Sequence, residues 1–127
     1  MKIKFFFPGF LTHEDKLRYA ELCDIFICTN RIDNAPVSLI EMAALGIPIV
    51  STNAGGIPHL FENGVNALLV DVKDARAMAE AVKDLISDNE LAHTLCKNGR
   101  LLAEKHDEQH VLNAWNALFR KIQPTGN

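Results

Sequence analysis

Short apolar runs alternate with segments of helical periodicity along this chain. Ile3 to Phe7 is continuously apolar apart from Lys4, as a strand covered on both faces would be. Thr12 with Asp15 has the spacing of a capping box and predicts a helix to about Leu22. Asp24 to Thr29 reads as a second strand. Asn34 is placed to cap a helix that has Pro36 in its first turn, runs to about Leu45 and ends at Gly46. Ile47 to Thr52 is a third strand, Ile57 to Phe61 a single helical turn, and Ala67 to Val70 a fourth, short strand. Asp74 caps a helix to about Ile86 in which Ala75, Met78, Ala79, Val82, Leu85 and Ile86 keep helical spacing. Leu91 to Asn98 forms another helix, stopped at Gly99. The last begins near Asp107, with Val111, Leu112, Trp115, Leu118, Phe119 and Ile122 on one side and Trp115 expected in the core.

Alternation at this spacing implies right-handed crossovers and a parallel sheet, an α/β Rossmann-like fold with flanking helices. Four strands are few for a doubly wound domain, and the first begins at residue 3 with no helix before it. The expectation is a sheet incomplete at its N-terminal side, completed by a preceding segment or a partner. A single domain over residues 1–122 is expected, with a flexible tail at 123–127 that has nothing to pack.

Composition narrows the function. Of 127 residues, 48% are hydrophobic and 23% charged, which is ordinary for a folded domain. The net charge of −3 and the lack of a basic patch argue against nucleic acid as a partner. The odd set Cys23, Cys28 and Cys96 reads as buried small hydrophobes in a reducing, cytoplasmic setting. The apolar run after Lys2 ends at Pro8, too short for a signal peptide, and no stretch approaches the roughly 20 residues of a membrane span.

The candidate chemistry lies between Asp33 and Pro58. Asp33 and Glu41 are two carboxylates eight positions apart, flanking the start of a helix. Free N–H groups at a helix start carry partial positive charge and suit a phosphate, while carboxylates suit the hydroxyls of a sugar and a ribose. That combination is what a nucleotide-sugar site needs. Ligands of open parallel sheets sit beyond the carboxyl ends of the strands. Three loops leave such ends: Gly9 to His13, Asn30 to Pro36, and Asn53 to Pro58. All three are expected on one crevice.

Simpler readings stand beside these. Glu41 fits a solvent-facing helix position, and Asp33 an Asx turn with Asn34. Gly55, Gly56 and Gly9 fit either a positive φ or close approach of backbone to a ligand. His59 fits either the crevice or plain surface. His106 and His110 are four apart, but no third ligand accompanies them, so no metal site is expected. Ser51 and Ser87 lie in no nucleophile elbow, and neither a dinucleotide fingerprint nor a Walker pattern is found.

These residues resemble a known family. Asp33, then Glu41-Met42-Ala43-Ala44-Leu45-Gly46-Ile47-Pro48-Ile49-Val50, then Gly55-Gly56, is similar to the pattern in the C-terminal half of GT-B glycosyltransferases, most of all the retaining family 4 enzymes. Glu62 to Val70, the helix with Ala75, Met78, Ala79 and Val82, and Asn98-Gly99-Arg100 extend the resemblance over about residues 3–122.

The resemblance implies a metal-independent, hexosyltransferase-like enzyme that needs no cofactor and takes a UDP-, GDP- or ADP-sugar. Glu41 would accept hydrogen bonds from the ribose, and Asp33 would contact the transferred sugar. Backbone N–H groups near Val37, Ser38 and Leu39 would hold the diphosphate in the loop shaped by Asn34 and Pro36. Phe10 and Leu11 would edge the base, largely through backbone, with His13 or Lys16 nearby, and Gly9, Gly55 and Gly56 would border the donor. Asp33 stands where the family usually has Glu. Asn34-Ala35-Pro36 replaces a Gly-rich segment, His59 a frequent Glu and Ala67 a frequent Gly.

The family's diphosphate-binding Arg/Lys pair and its acceptor domain correspond to sequence before residue 1. The chain alone is therefore expected to be inactive. A saccharide or lipid-linked acceptor, and any peripheral membrane association, would be handled by that other domain. The alternatives are a non-catalytic Rossmann-like binding or assembly module, which predicts an exposed apolar face, and a sugar-nucleotide epimerase of similar architecture, which the motif order fits less well.

Overall fold

The computed structural model describes residues 3–122, the Ile122 side chain excepted. The tail expected at 123–127 lies outside them. The element order is α1 (His13–Ala20), β1 (Phe26–Cys28), α2 (Val37–Ala44), β2 (Ile49–Thr52), α3 (Ile57–Leu60), β3 (Leu68–Val70), α4 (Ala75–Ser87), α5 (Asn89–Glu104) and α6 (Glu108–Ile122).

The three strands form a parallel sheet in the order β1-β2-β3, with Cys28 opposite Ser51 and Thr52 opposite Val70. All four residues of the central strand β2 are buried. Successive strand side chains point to opposite faces, so β2 feeds two cores. Ile49 packs with Cys28, Leu39, Ala43, Ile57 and Phe61 on one side. Val50 packs with Ala81, Leu85 and Leu95 on the other. A sheet covered on both faces reads as continuous apolar runs rather than as alternation, as Ile47 to Val50 does.

Five expectations are corrected. Ile3 to Phe7 forms no strand, and Ile3, Phe5, Phe6 and Phe7 are exposed. A strand needs a neighbour for its ladder bonds, and β1 pairs with β2 alone among the described residues. Phe6 instead lies against Tyr19 of α1, with ring centroids 5.8 Å apart. Asn34 does not cap α2. Pro36 takes the cap position, without a side-chain hydrogen bond, and is itself fully buried. Gly99 does not stop a helix: α5 runs through it, because a bare Cα there lets α5 close on α2, where an added Cβ would lie 3.5 Å from that of Ala43. Trp115 is 52% exposed rather than in the core. Both sheet faces are already covered, and neither core includes a residue of α6. The cysteines also divide: Cys28 is buried, Cys96 half-buried with its thiol pKa raised by burial, and Cys23 exposed.

The capping box of α1 is present. The Thr12 hydroxyl accepts from the Asp15 N–H at 3.1 Å and donates to the Asp15 carboxylate at 2.8 Å, while the Thr12 N–H donates to that carboxylate at 3.2 Å. The Thr12 hydroxyl first, and its backbone N–H second, hold the Asp15 pKa below the ordinary 3.8. A carboxyl with a depressed folded pKa stabilises fully above its unfolded value and loses that contribution as pH falls through the folded one. Acidification below pH 3.8 is therefore expected to unlock the first turn of α1. Amide exchange at Asp15 and Lys16 should accelerate over that range, and Thr12→Ala should remove the pH dependence. A flat exchange profile in the parent chain contradicts the capping role.

Candidate functional site

The site begins with two loops at the carboxyl ends of β1 and β2. Thr52, buried at the end of β2, donates its hydroxyl to the Asn30 carbonyl. The Asn30 side-chain amide donates to the Asp33 carboxylate at 2.8 Å. The direction of Asp33 is thus set from the sheet outward, through Asn30. Sequence reasoning missed Asn30 and Thr52. The signal for Asn30 was an amide three positions before a loop carboxylate, which is within reach of a local side-chain bond.

The Gly55-Gly56 turn locks the same loop from the other side. The Gly56 N–H donates to the Asp33 carbonyl at 2.6 Å. A Cβ on Gly55 would fall 2.3 Å from the Asp33 carbonyl oxygen, and one on Gly56 2.1 Å from that of Asn34. Gly55 also has φ +54°, whereas Gly56 has φ −81°. The turn therefore brings backbone against the Asp33-Asn34 backbone. Gly56 is required by that approach alone, not by its dihedral.

The start of α2 is open. Helices α1, α4 and α5 each have a side-chain cap, from Thr12, Asp74 and Asp88, whereas α2 has none and no acidic residue in its first turn. The Val37 N–H bonds to the Ala35 carbonyl at 2.8 Å and the Leu39 N–H to that of Pro36 at 3.0 Å. The Ser38 N–H has no protein partner among the described residues. A helix start carries partial positive charge, so a free N–H there favours an anion.

Glu41 lies one turn further along α2 and is half-buried. Lys16 of α1 reaches it, with Nζ 3.4 Å from both Oε1 and Oε2. Leu11, Lys16, Phe26, Ser38, Glu41 and Met42 are among the residues lining a cleft of about 320 Å³ between α1 and α2. Of the first loop, Leu11 belongs to this cleft. Phe10 is 97% exposed, a Cβ added at Gly9 would meet nothing within 4 Å, and His13 is exposed at the helix start. Asp33 does not line the cleft that holds Glu41. The three loops thus meet in two places, Asp33-Asn34 against Gly55-Gly56, and Leu11 against Ser38 and Glu41. His59 faces a separate cavity of about 640 Å³ with Asn53, Glu62 and Asn66. No group of three metal-ligating side chains comes together among the described residues, and none of their helices is long and apolar enough to cross a membrane.

Comparison with known proteins gives this arrangement its context. The family model described as "Glycosyl transferases group 1" matches residues 1–102. The amylovoran biosynthesis glycosyltransferase AmsK of Erwinia amylovora is 30% identical over 109 residues, which cover 81% of this chain and 27% of that protein. Among solved structures, sucrose-phosphate synthase from Thermosynechococcus elongatus superimposes with a TM-score of 0.80 at 25% identity, covering 90% of this chain and 29% of the other. HepE of Anabaena, in complex with UDP, does so with a TM-score of 0.76 at 23% identity, covering 86% and 30%. The chain therefore spans between a quarter and a third of the length of these relatives. With the matched family model covering most of the chain and the sheet, crossovers and flanking helices in the same arrangement, the chain belongs to the glycosyl transferases group 1 family and forms a C-terminal, Rossmann-like domain of the GT-B fold.

Proposed function

We propose that residues 1–122 are the donor-binding part of a retaining glycosyltransferase that takes a UDP-, GDP- or ADP-sugar and passes the glycosyl group to a saccharide or lipid-linked acceptor. The observation that carries this reading is the uncapped start of α2, with the Ser38 N–H free and the Asp33 and Glu41 carboxylates before and after it. In this reading the diphosphate sits at that helix start, held by the Ser38 N–H and by the partial charge of Val37, Ser38 and Leu39 together. Glu41 accepts from the ribose hydroxyls. Asp33, aimed by Asn30, accepts from hydroxyls of the transferred sugar. Leu11 and Phe10 border the base. The Gly9 turn delivers them, with His13 beside it, and Gly55-Gly56 and Asn34-Pro36 hold the loop in register. As the glycosidic bond breaks, charge grows on the leaving diphosphate, and the helix end stabilises it electrostatically without metal or cofactor. Further cations and the acceptor site belong to the remainder of the longer protein. That remainder would also mediate any contact with the cytoplasmic face of a membrane, and the chain alone is inactive. The UDP held by HepE, a protein of the same fold, supports a nucleotide donor.

One observation favours the second reading, a non-catalytic binding module. Phe5, Phe6, Phe7 and the α6 stripe of Val111, Leu112 and Trp115 are exposed, and apolar surface of this kind marks a contact face. Titration with UDP, GDP and ADP, followed by backbone amide shifts, separates the two. The donor reading expects shifts clustered at Gly9–His13, Asn34–Glu41 and Asn53–Gly56, and the preferred base identifies itself by affinity. A folded chain that responds to none of the three nucleotides supports the module.

A further inference from the structure

The Lys16–Glu41 contact has an unusual symmetry. Nζ stands 3.4 Å from Oε1 and 3.4 Å from Oε2, so the ammonium sits astride the carboxylate fork rather than on one oxygen. A vicinal diol binds a carboxylate through the same two oxygens, approaching along the same bisector. Ammonium and diol therefore compete for one position. The ion pair is loosely held: the side chains are 43% and 37% exposed, a range in which such pairs exchange readily with solvent or another partner. Lysine carries its charge on a flexible four-carbon stem. An anion held at the start of α2 by the free Ser38 N–H would stand about one helical turn, roughly 5 Å, from Glu41, and Ser38 lines the same cleft as Lys16.

We infer that Lys16 is a specificity-determining residue that exchanges partners when a donor binds. The ribose diol takes the Glu41 fork, and the released ammonium moves to the phosphate at the start of α2. This rests on the donor reading above and adds to it a discrimination device. A nucleoside must displace Lys16 from Glu41 and offers the ammonium nothing in return. A nucleoside diphosphate displaces it equally but supplies it with an anion. Lys16 therefore disfavours ligands without phosphate and favours those that carry it. No residue of the candidate motif between Asp33 and Gly56 performs that role.

The test is a pair of dissociation constants for the chain, K16M and K16R, each measured with UDP against uridine, GDP against guanosine and ADP against adenosine. Methionine keeps the aliphatic stem and removes the charge. For the base that the parent chain prefers, K16M is expected to bind the diphosphate more weakly and the nucleoside as well or better. The preference for diphosphate should fall by roughly tenfold or more, the scale of one lost hydrogen bond between charged groups. K16R is expected to retain most of the preference. Opposite movement of the two ligands is a signature that a merely structural lysine cannot produce. Equal weakening of both ligands, or no change in either, overturns the inference while leaving the donor reading intact. Failure of the parent chain to bind any of the six ligands, with its amide spectrum showing it folded, removes the donor reading and this inference together. Thermal unfolding of K16M within a few degrees of the parent confirms that affinities are compared between folded proteins.

Discussion

Gly56→Val is expected to leave little folded protein at room temperature, and Gly56→Ala to be strongly destabilised. A Cβ at this position would lie 2.1 Å from the Asn34 carbonyl oxygen and 2.9 Å from its carbonyl carbon. The obstructing atoms are backbone, so no side-chain rotation relieves the clash. The two loops must separate, breaking the Gly56 N–H bond to the Asp33 carbonyl at 2.6 Å. Ile57, the next residue, is fully buried in the core and anchors the turn from below, so the strain passes into packed side chains. Overpacking typically costs about 1–3 kcal/mol and occasionally more, and a backbone clash at 2.1 Å belongs at the upper end, a large share of the stability of a small domain. Circular-dichroism melts of the parent chain, Gly56→Ala and Gly9→Ala provide the comparison. Gly9 has φ +75°, and a Cβ added there would meet nothing within 4 Å, so Gly9→Ala is strained only by its dihedral, about 1–2 kcal/mol. A Gly56→Ala melt as high as that of Gly9→Ala defeats the argument, because contact and not dihedral is what distinguishes them.

Glu41→Gln is expected to reduce donor affinity by about 1–3 kcal/mol, or roughly 5- to 150-fold, while the melting temperature stays nearly constant. The amide keeps the shape of the side chain but replaces one acceptor oxygen by a donor and removes the charge that strengthens bonds from ribose hydroxyls. The fold should tolerate the change. The only ion pair of Glu41 among the described residues is to Lys16, across a partly exposed contact of 3.4 Å, and such pairs contribute about 0–1 kcal/mol. The decisive comparison is a nucleoside diphosphate with its 2′,3′-dideoxy analogue. The parent chain should prefer the ribose form, and Glu41→Gln should lose that preference. If both proteins discriminate equally, the ribose contact lies elsewhere. If Glu41→Gln unfolds, the residue is part of the framework instead.

Elements defined by local chemistry were legible in the sequence. The Thr12–Asp15 box and the Asp74 cap depend on residues three apart, and both form as expected. The single turn at Ile57 and the helix opening after Asp107 are also local, and the run Ile47 to Val50 announces a strand buried on both faces. The motif from Asp33 to Gly56, with two carboxylates flanking a helix start, was legible because it is contiguous; the open start itself was not, because Asn34 is a plausible local cap that the folded loop does not use.

Tertiary structure decided what neighbours decide. The aromatic run from Ile3 to Phe7 has strand composition, but ladder bonds need an adjacent strand and β1 offers it none. The α6 stripe has core composition, but the sheet faces were already covered by α2, α4 and α5. Gly99 reads locally as a stop and is used as the point where two helices touch. The same holds within the site. Nothing local ties Lys16 to Glu41, Thr52 to Asn30, or Gly56 to Asn34; each pair is separated by at least 22 residues, the last two meeting where β1 and β2 bring their carboxyl ends together and the first where α1 lies beside α2. The sequence by itself determined which groups are present and which turns they favour, since those depend on chain-local sterics and hydrogen bonds. The folded sheet alone decided which carboxylate is aimed, which is shared with a lysine and which N–H is left free, since those depend on approach between segments distant in the chain.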